Sequence, residues 1–346
     1  MQLQPQGPAS DGSGPEHDVV TSCRVRLARN LAGFPFVNQA SEAQCHEVVN
    51  ILQRVLLTGE LVPGLIWVDM NTATAQDRSL LAERHLISRP HAEADVRRAT
   101  AISESESLSV MVNEEDHLRI QSIGSGLQFT DVFECINALD DAIEAKIDYA
   151  FSKRWGYLTA CPTNVGTGIR FSVMMHLPGL KITNELERVK RSARDLHLAV
   201  RGYYGEGSEA IGDFYQISNQ VTLGRSEIEL LDEFEHKIVP QIIEYERRSR
   251  QMLEKRSAAL LDDRIHRALG TLRSARLLGV EEAMKLLSRV RLGVQSRRIH
   301  DVDTQTVDRL FLQIQPAHLR QHAGLHVSGE DLRRTRADFV RSAMQA

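Results

Sequence analysis

Leu108-Ser109-Val110-Met111-Val112-Asn113-Glu114-Glu115-Asp116-His117-Leu118-Arg119-Ile120-Gln121-Ser122-Ile123 runs from one apolar segment through a charged turn into a second. Leu108 to Val112 and Leu118 to Ile123 predict an antiparallel pair of strands, broken off by Gly124-Ser125-Gly126. Burial of that pair carries three consecutive acids, an imidazole and an arginine to the rim of a core. Charges held there must be paired or put to use.

Ahead of the hairpin, Ser41-Glu42-Ala43 predicts the start of an amphipathic helix that ends over Ile51 to Leu57. Leu65-Ile66-Trp67-Val68, after Pro63-Gly64, predicts a short strand. Beyond the hairpin, Asp131 is expected to cap a helix with Val132, Cys135, Ile136, Leu139, Ala142, Ile143, Ile147 and Ala150 on one face. Tyr157-Leu158-Thr159 enters Cys161-Pro162-Thr163-Asn164, which the proline, Gly166 and Gly168 mark as a loop. Glycines at 202, 205, 207 and 212 make Arg201 to Gly212 a mobile loop or a tight phosphate-side turn, and Tyr215 to Asn219 reads as strand. From Glu244 the chain reads as consecutive helices, with Leu261, Ile265, Leu269 and Leu272 on one face, then Val280, Ala283, Met284, Leu287 and Val290 on the next. The pattern is an α+β domain over residues 19–243 followed by an all-α domain over 244–346. Residues 1–18, rich in Gln, Pro, Gly and Ser, are expected to form a disordered leader.

At 346 residues, 42% hydrophobic and 25% charged, the chain has ordinary globular composition. A net charge of -4 argues against a whole-molecule attraction to nucleic acid. Cys23, Cys45, Cys135 and Cys161 form no CxxC pair, which favours a reducing cytoplasmic setting. No apolar run approaches the roughly 20 residues of a membrane span, and residues 1–18 lack signal and transit patterns. A soluble protein without a membrane partner is expected. Trp67 and Trp155 are read as core or loop anchors.

The chain has no GxxxxGK[ST] phosphate loop, and His46-Glu47 fails to become HExxH because Asn50 stands in the last position. What it offers instead is arginines in short, separated motifs: Arg24 and Arg26 on one side of a strand-like run, Arg119, Arg170 and Arg201. A guanidinium keeps its charge and donates through a planar fork, which suits the phosphate oxygens of a nucleotide. Such a basket could replace a phosphate loop, although an arginine pair alone is more often a solvated face.

Together, Ser22-Cys23-Arg24-Val25-Arg26, Glu83-Arg84-His85-Leu86-Ile87-Ser88, Val112 to Arg119, Cys161-Pro162-Thr163-Asn164-Val165-Gly166-Thr167 and Gln216-Ile217-Ser218-Asn219 carry a resemblance to the guanidino (phosphagen) kinases. Arg201-Gly202-Tyr203-Tyr204-Gly205-Glu206-Gly207 and the helical tail, with Glu281-Glu282-Ala283-Met284 and Val290-Arg291-Leu292-Gly293, resemble the bacterial protein-arginine kinases within that family. The resemblance implies an antiparallel β-sheet flanked by helices, ATP and Mg2+, and transfer of the γ-phosphate to the guanidinium of arginine side chains in proteins. It implies Glu115 as catalytic base, Glu206 as second carboxylate and Cys161 as a thiol beside the guanidinium. Arg24, Arg26, Arg119, Arg170 and Arg201 then hold the nucleotide's phosphates and His85 is a further nucleotide contact, with no metal-ligand set expected in the protein. Glu114, Asp116 and His117 are expected to be scaffolding around Glu115.

Two departures stand out. Cys23 occupies a position where the family usually has serine, a change expected to leave activity intact. In the tail, counting on from Gln315-Pro316-Ala317-His318-Leu319 and Ala323-Gly324, the R-D-x-x-R-A motif that senses phosphoarginine falls on Leu332, Arg333, Arg336 and Ala337, and only its second half matches. The family further implies a role in protein quality control, with a Clp-type protease, a stress-response repressor and an activator protein as partners, and a homodimer through the C-terminal domain. Two other readings stand beside this one: a kinase of free arginine or another small guanidino metabolite, and a weakly catalytic adaptor that binds phosphoarginine. The missing small helical N-terminal domain of the metabolite kinases and the extra helical domain are expected to favour a protein substrate, because an open site can admit a side chain attached to a chain.

Overall fold

Alternation along Val20–Arg29 (β1) dictates the centre of the molecule. Cys23, Val25 and Leu27 are fully buried on one side of this strand, and Arg24 and Arg26 project from the other. The computed structural model describes residues 12–58, 61–93, 95–203, 211–324 and 326–345. The remaining strands are Ile66–Asp69 (β2), Ala99–Ile102 (β3), Leu108–Val112 (β4), Leu118–Ser125 (β5), Phe151–Ser152 (β6), Gly156–Tyr157 (β7), Ile169–His176 (β8), Leu198–Arg201 (β9) and Phe214–Asn219 (β10). Eight of them form one sheet in the order β2-β3-β4-β5-β1-β8-β10-β9, every neighbouring pair antiparallel. The predicted hairpin is β4 and β5, with Val112 opposite Leu118.

Helices Glu42–Thr58 (α1), Ala75–Glu83 (α2), Arg89–Glu93 (α3), Phe129–Glu144 (α4), Pro178–Ile182 (α5), Leu186–Asp195 (α6) and Glu227–Asp232 (α7) accompany the sheet. Helix α4 lays Phe129, Val132, Ile136, Leu139 and Ile143 against the apolar face of β1 and β5, and Phe129, Phe171 and Phe234 meet ring to ring beneath it. Truncating one of these rings is expected to cost about 3–5 kcal/mol. The helix differs from its expected form in detail. Gln128 is the cap and Asp131 sits in the first turn, Cys135 is exposed while Phe133 and Asp140 are buried, and Ala150 lies beyond its end. The buried acid is the reason the pattern misled: Asp140 occupies an apolar-facing position because it pairs with buried Arg29.

Val239–Arg256 (α8), Ala258–Ser274 (α9), Val280–Gln295 (α10), Thr304–Gln313 (α11), Pro316–Ala323 (α12) and Gly329–Gln345 (α13) follow. A second core joins Leu261, Ile265, Leu269 and Leu272 of α9 to Ala283, Met284, Leu287 and Val290 of α10, the faces that periodicity predicts. The expected division after residue 243 falls inside α8, which gives Val239, Ile242 and Ile243 to the first core and Leu253 to the second.

Residues 12–18 correct the expectation of a disordered leader up to Asp18. Buried Arg291 donates Nε to Asp308 Oδ1 (2.7 Å), Nη2 to His17 O (2.8 Å) and Nη1 to Asp18 O (3.1 Å), and Arg247 pairs with both Glu16 and Asp18. The polar composition that suggested disorder supplies partners to arginines more than 200 residues away, a match that local composition does not reveal.

Candidate active site

The turn between β4 and β5 is rigid by construction. Asn113 opens it at φ +57° and donates its side-chain amide to Cys45 O (2.9 Å) and Arg97 O (3.0 Å). Glu114 turns inward, accepting from Ser88 Oγ (2.6 Å), Arg119 Nη1 (2.9 Å) and the Glu115 backbone N–H (2.9 Å). Burial alone would raise its pKa, but Arg119 and these hydrogen bonds outweigh that and hold it at about 2. His117 accepts from Leu31 N–H through Nδ1 (3.1 Å), so Nε2 carries the proton donated to Pro35 O (3.0 Å). Both ring nitrogens are occupied.

Between these buried neighbours Glu115 is exposed. Its pKa is raised by partial burial and by the charges of Asp116 and Glu114, against the pull of Arg119 and of a hydrogen bond with the Cys161 side chain. Asp116 produces that meeting. Its Oδ1 accepts from Asn30 Nδ2 (2.6 Å) and from the backbone N–H of Ala160 (2.7 Å), fastening the residue before Cys161 to the residue after Glu115. Cys161, half-buried, then enters a single 3-10 turn, Pro162–Asn164, with Sγ 3.0 Å from Thr163 Oγ1.

The rest of this loop is pinned from behind. Arg29 donates Nη1 to Thr167 O (2.8 Å) and lies 3.6 Å from the centre of the Tyr157 ring, while Thr222 Oγ1 donates to Val165 O (2.7 Å). Gly156 and Gly166 cross so closely that a Cβ on Gly156 would stand 2.3 Å from Gly166 O.

On the sheet face opposite α4, register aligns the expected arginines. Arg26 sits between Gln121 of β5 and Arg170 of β8, Arg24 between Ile123 and Ser172, Arg119 opposite Ala28, and Arg201 of β9, at the sheet edge, opposite Gln216 of β10. Burial and then the charges of Arg24, Arg119, Arg170 and Arg201 all disfavour the protonated form of Arg26. The same effects, burial first, lower Arg24 to about 9, so it stays charged at neutral pH. Arg24 finds neutral acceptors in Ser172 Oγ (3.5 Å) and Gln216 Oε1 (3.4 Å), and buried Nε and Nη2 of Arg26 have no partner among the described residues. Crowded cations with unfilled N–H groups suit a polyanion.

His85, at φ +59°, lies against Tyr203 (ring centres 5.4 Å apart). Burial, then Arg24 and Arg89, lower its pKa to about 4 and keep it neutral. A cavity of about 100 Å3 opens beside His85 and Arg24. Glu206 lies outside the described residues. Cys23 faces α4 rather than the arginines, its thiol pushed by burial up to about 12. In the tail, Arg336 is buried and donates to Ile314 O (2.9 Å) and Leu278 O (2.9 Å), whereas Arg333 and Arg334 are exposed.

Sequence reasoning missed Arg29, Asn30 and Thr222, whose partners are remote in the chain and leave no local signal. Ser88 and Gln216 stood in motifs that carried the resemblance, and that was the available clue. Among the described residues no group of three His, Cys, Asp or Glu forms a metal-binding cluster.

The family model for the ATP:guanido phosphotransferase C-terminal catalytic domain matches residues 48–249, and that for the protein-arginine kinase McsB C-terminal domain matches residues 258–346. The chain is 42% identical to the protein-arginine kinase of Halothermothrix orenii over 96% of this chain and 95% of that one. It is 41% identical to that of Bacillus pumilus over 96% and 92%. Among solved structures, lombricine kinase superposes with a TM-score of 0.58 at 26% identity over 71% of each chain. The duplicated taurocyamine kinase from Schistosoma mansoni gives a TM-score of 0.60 at 23% identity, over 79% of this chain and 40% of that one.

Proposed function

Since the chain belongs to the ATP:guanido phosphotransferases and carries the C-terminal domain of the protein-arginine kinases, we infer that its site phosphorylates arginine side chains of proteins, with Glu115 as the base. One observation carries the reading: an exposed carboxylate of raised pKa, tied to the Cys161 loop through Asp116, stands beside crowded arginines of which Arg26 keeps buried Nε and Nη2 unfilled.

A guanidinium is a poor nucleophile because it is protonated and delocalised, with a pKa above about 12. Glu115 orients the attacking nitrogen and takes its proton as the new N–P bond forms and the bond from the γ-phosphorus to the bridging oxygen breaks, releasing ADP. Its raised pKa makes it a stronger acceptor than an ordinary glutamate. Cys161 holds the other side of the guanidinium, and Glu206 supplies the second carboxylate. Arg24, Arg26, Arg119, Arg170 and Arg201 offset charge on the phosphates, Arg26 through its unfilled Nε and Nη2, and His85 contacts the nucleotide. The described residues offer no cluster of acids to hold magnesium, which would arrive with the nucleotide and would supply further positive charge against its phosphates. Partner proteins, a quality-control role and a dimer through the helical domain rest on family membership alone.

Incubation with magnesium-ATP and either casein or free arginine, followed by mass spectrometry under conditions that preserve acid-labile phosphate, tests the reading. Phosphoarginine in casein is the expected product. Phosphate on free arginine alone, or on neither, sinks it.

A further inference from the structure

Read along β1, the arginine face changes character. Ala28, opposite Arg119, marks the end near Glu115; Arg26 and Arg24 follow, and Ser22 ends the row. Six residues of strand span roughly 20 Å, and over that length the lining passes from crowded cations to apolar side chains. The cavity at the Ser22 end is lined by Ile123, Met174 and Phe214 and edged by polar and charged groups that include Ser22, Arg24, Arg84, His85 and Gln216. Its far wall comes from another part of the chain: Phe311 and Leu312 of α11. Phe311 packs edge-on against Phe214, with ring centres 4.8 Å apart, so the wall is fixed to the floor. Asp308, on the same helix, also lines the cavity and is held by Arg291 and His17.

A phosphate chain laid on the arginines from the Glu115 end must send the remainder of the nucleotide toward Ser22. What waits there is a space of about 100 Å3 with mostly apolar walls and polar and charged groups at its edge, the chemistry that accepts a flat heteroaromatic ring bearing hydrogen-bonding nitrogens. We propose that α11 is part of the nucleotide site: the base of ATP is gripped between the sheet and Phe311 and Leu312, so the helical domain sets nucleotide affinity and the nucleotide ties the two cores together. This rests on the kinase reading above.

Hydrogen exchange of the full-length protein, alone, with ATP and with inorganic tripolyphosphate, tests the proposal. Slowed exchange in Thr304–Gln313 with ATP but not with tripolyphosphate is expected. Equal protection by both anions, or ATP protection confined to the sheet, overturns it while leaving the kinase reading intact, whereas failure of ATP to bind at all removes both. As a second measurement, Phe311→Ala should weaken ATP binding at least ~10-fold, the scale of a lost apolar contact in a pocket, with tripolyphosphate binding unchanged and Phe311→Leu recovering part of the loss. Parallel losses for both ligands would mean that the residue only supports the fold. Filling the cavity with Leu312→Trp should also weaken ATP selectively; unaltered ATP affinity in that variant would count against the wall.

Discussion

Glu114, Glu115 and Asp116 show how far three adjacent carboxylates can be driven apart. One is held at about 2 by Arg119 and two further donors, one is raised and exposed, and one is buried under two hydrogen bonds. Glu115→Gln is expected to lower kcat by ~100-fold or more, the usual worth of a general base, while thermal stability stays near that of the parent. Because the base must be ionised and its pKa lies above the ordinary 4.5, kcat/KM should fall as pH drops through that raised value. A variant that retained the parent's rate and acid limb would remove Glu115 from the mechanism. The sequence made the middle acid conspicuous only through the family motif. The partners that separate the three, Ser88, Asn30 and Ala160, are distant in sequence and invisible to local pattern.

At the scale of elements, the hairpin, the helix over Glu42–Thr58 and the strand at Phe214–Asn219 were legible because alternation and helical spacing are local properties. The Cys161 loop was legible as a loop but not as a fixed one. Its position comes from Asp116 at one end and from Arg29 and Thr222 at the other. Asp116→Ala should free Ala160 N–H and let the loop drift from Glu115. About 100-fold in rate is expected to be lost, since roughly 1 Å of misplacement has that effect, and alkylation of Cys161 by iodoacetamide, followed by peptide mapping, should change in rate. Unaltered activity together with unaltered alkylation would mean that the loop holds itself.

Over the whole molecule, the two layers of architecture follow from composition and periodicity, but the seam between them does not, because contacts such as Arg291 with Asp18 and Phe214 with Phe311 join residues far apart in the chain. The seam and the sheet also bury neutral histidines. Burial first, then nearby arginines, holds His91 at about 3 and His176 well below its usual range, and burial lowers His117 as well. The unfolded chain binds these protons near pH 6.5 and the folded one does not, so stability is complete above that pH and declines as pH falls. By pH 5 His91 alone should withdraw up to about 2 kcal/mol. Urea unfolding at pH 7.5 and pH 5 measures this, and equal midpoints would contradict it. Helix α8 has a consequence for synthesis. Glu246 on α8 accepts the backbone N–H groups of Gly179 (2.8 Å) and Leu180 (2.9 Å), closing an element laid down long before it. A chain leaving the ribosome therefore exposes its complete arginine row while α8, Arg291 and α11 are still to come. The reactive residues are thus translated before the helices that close the second core over them.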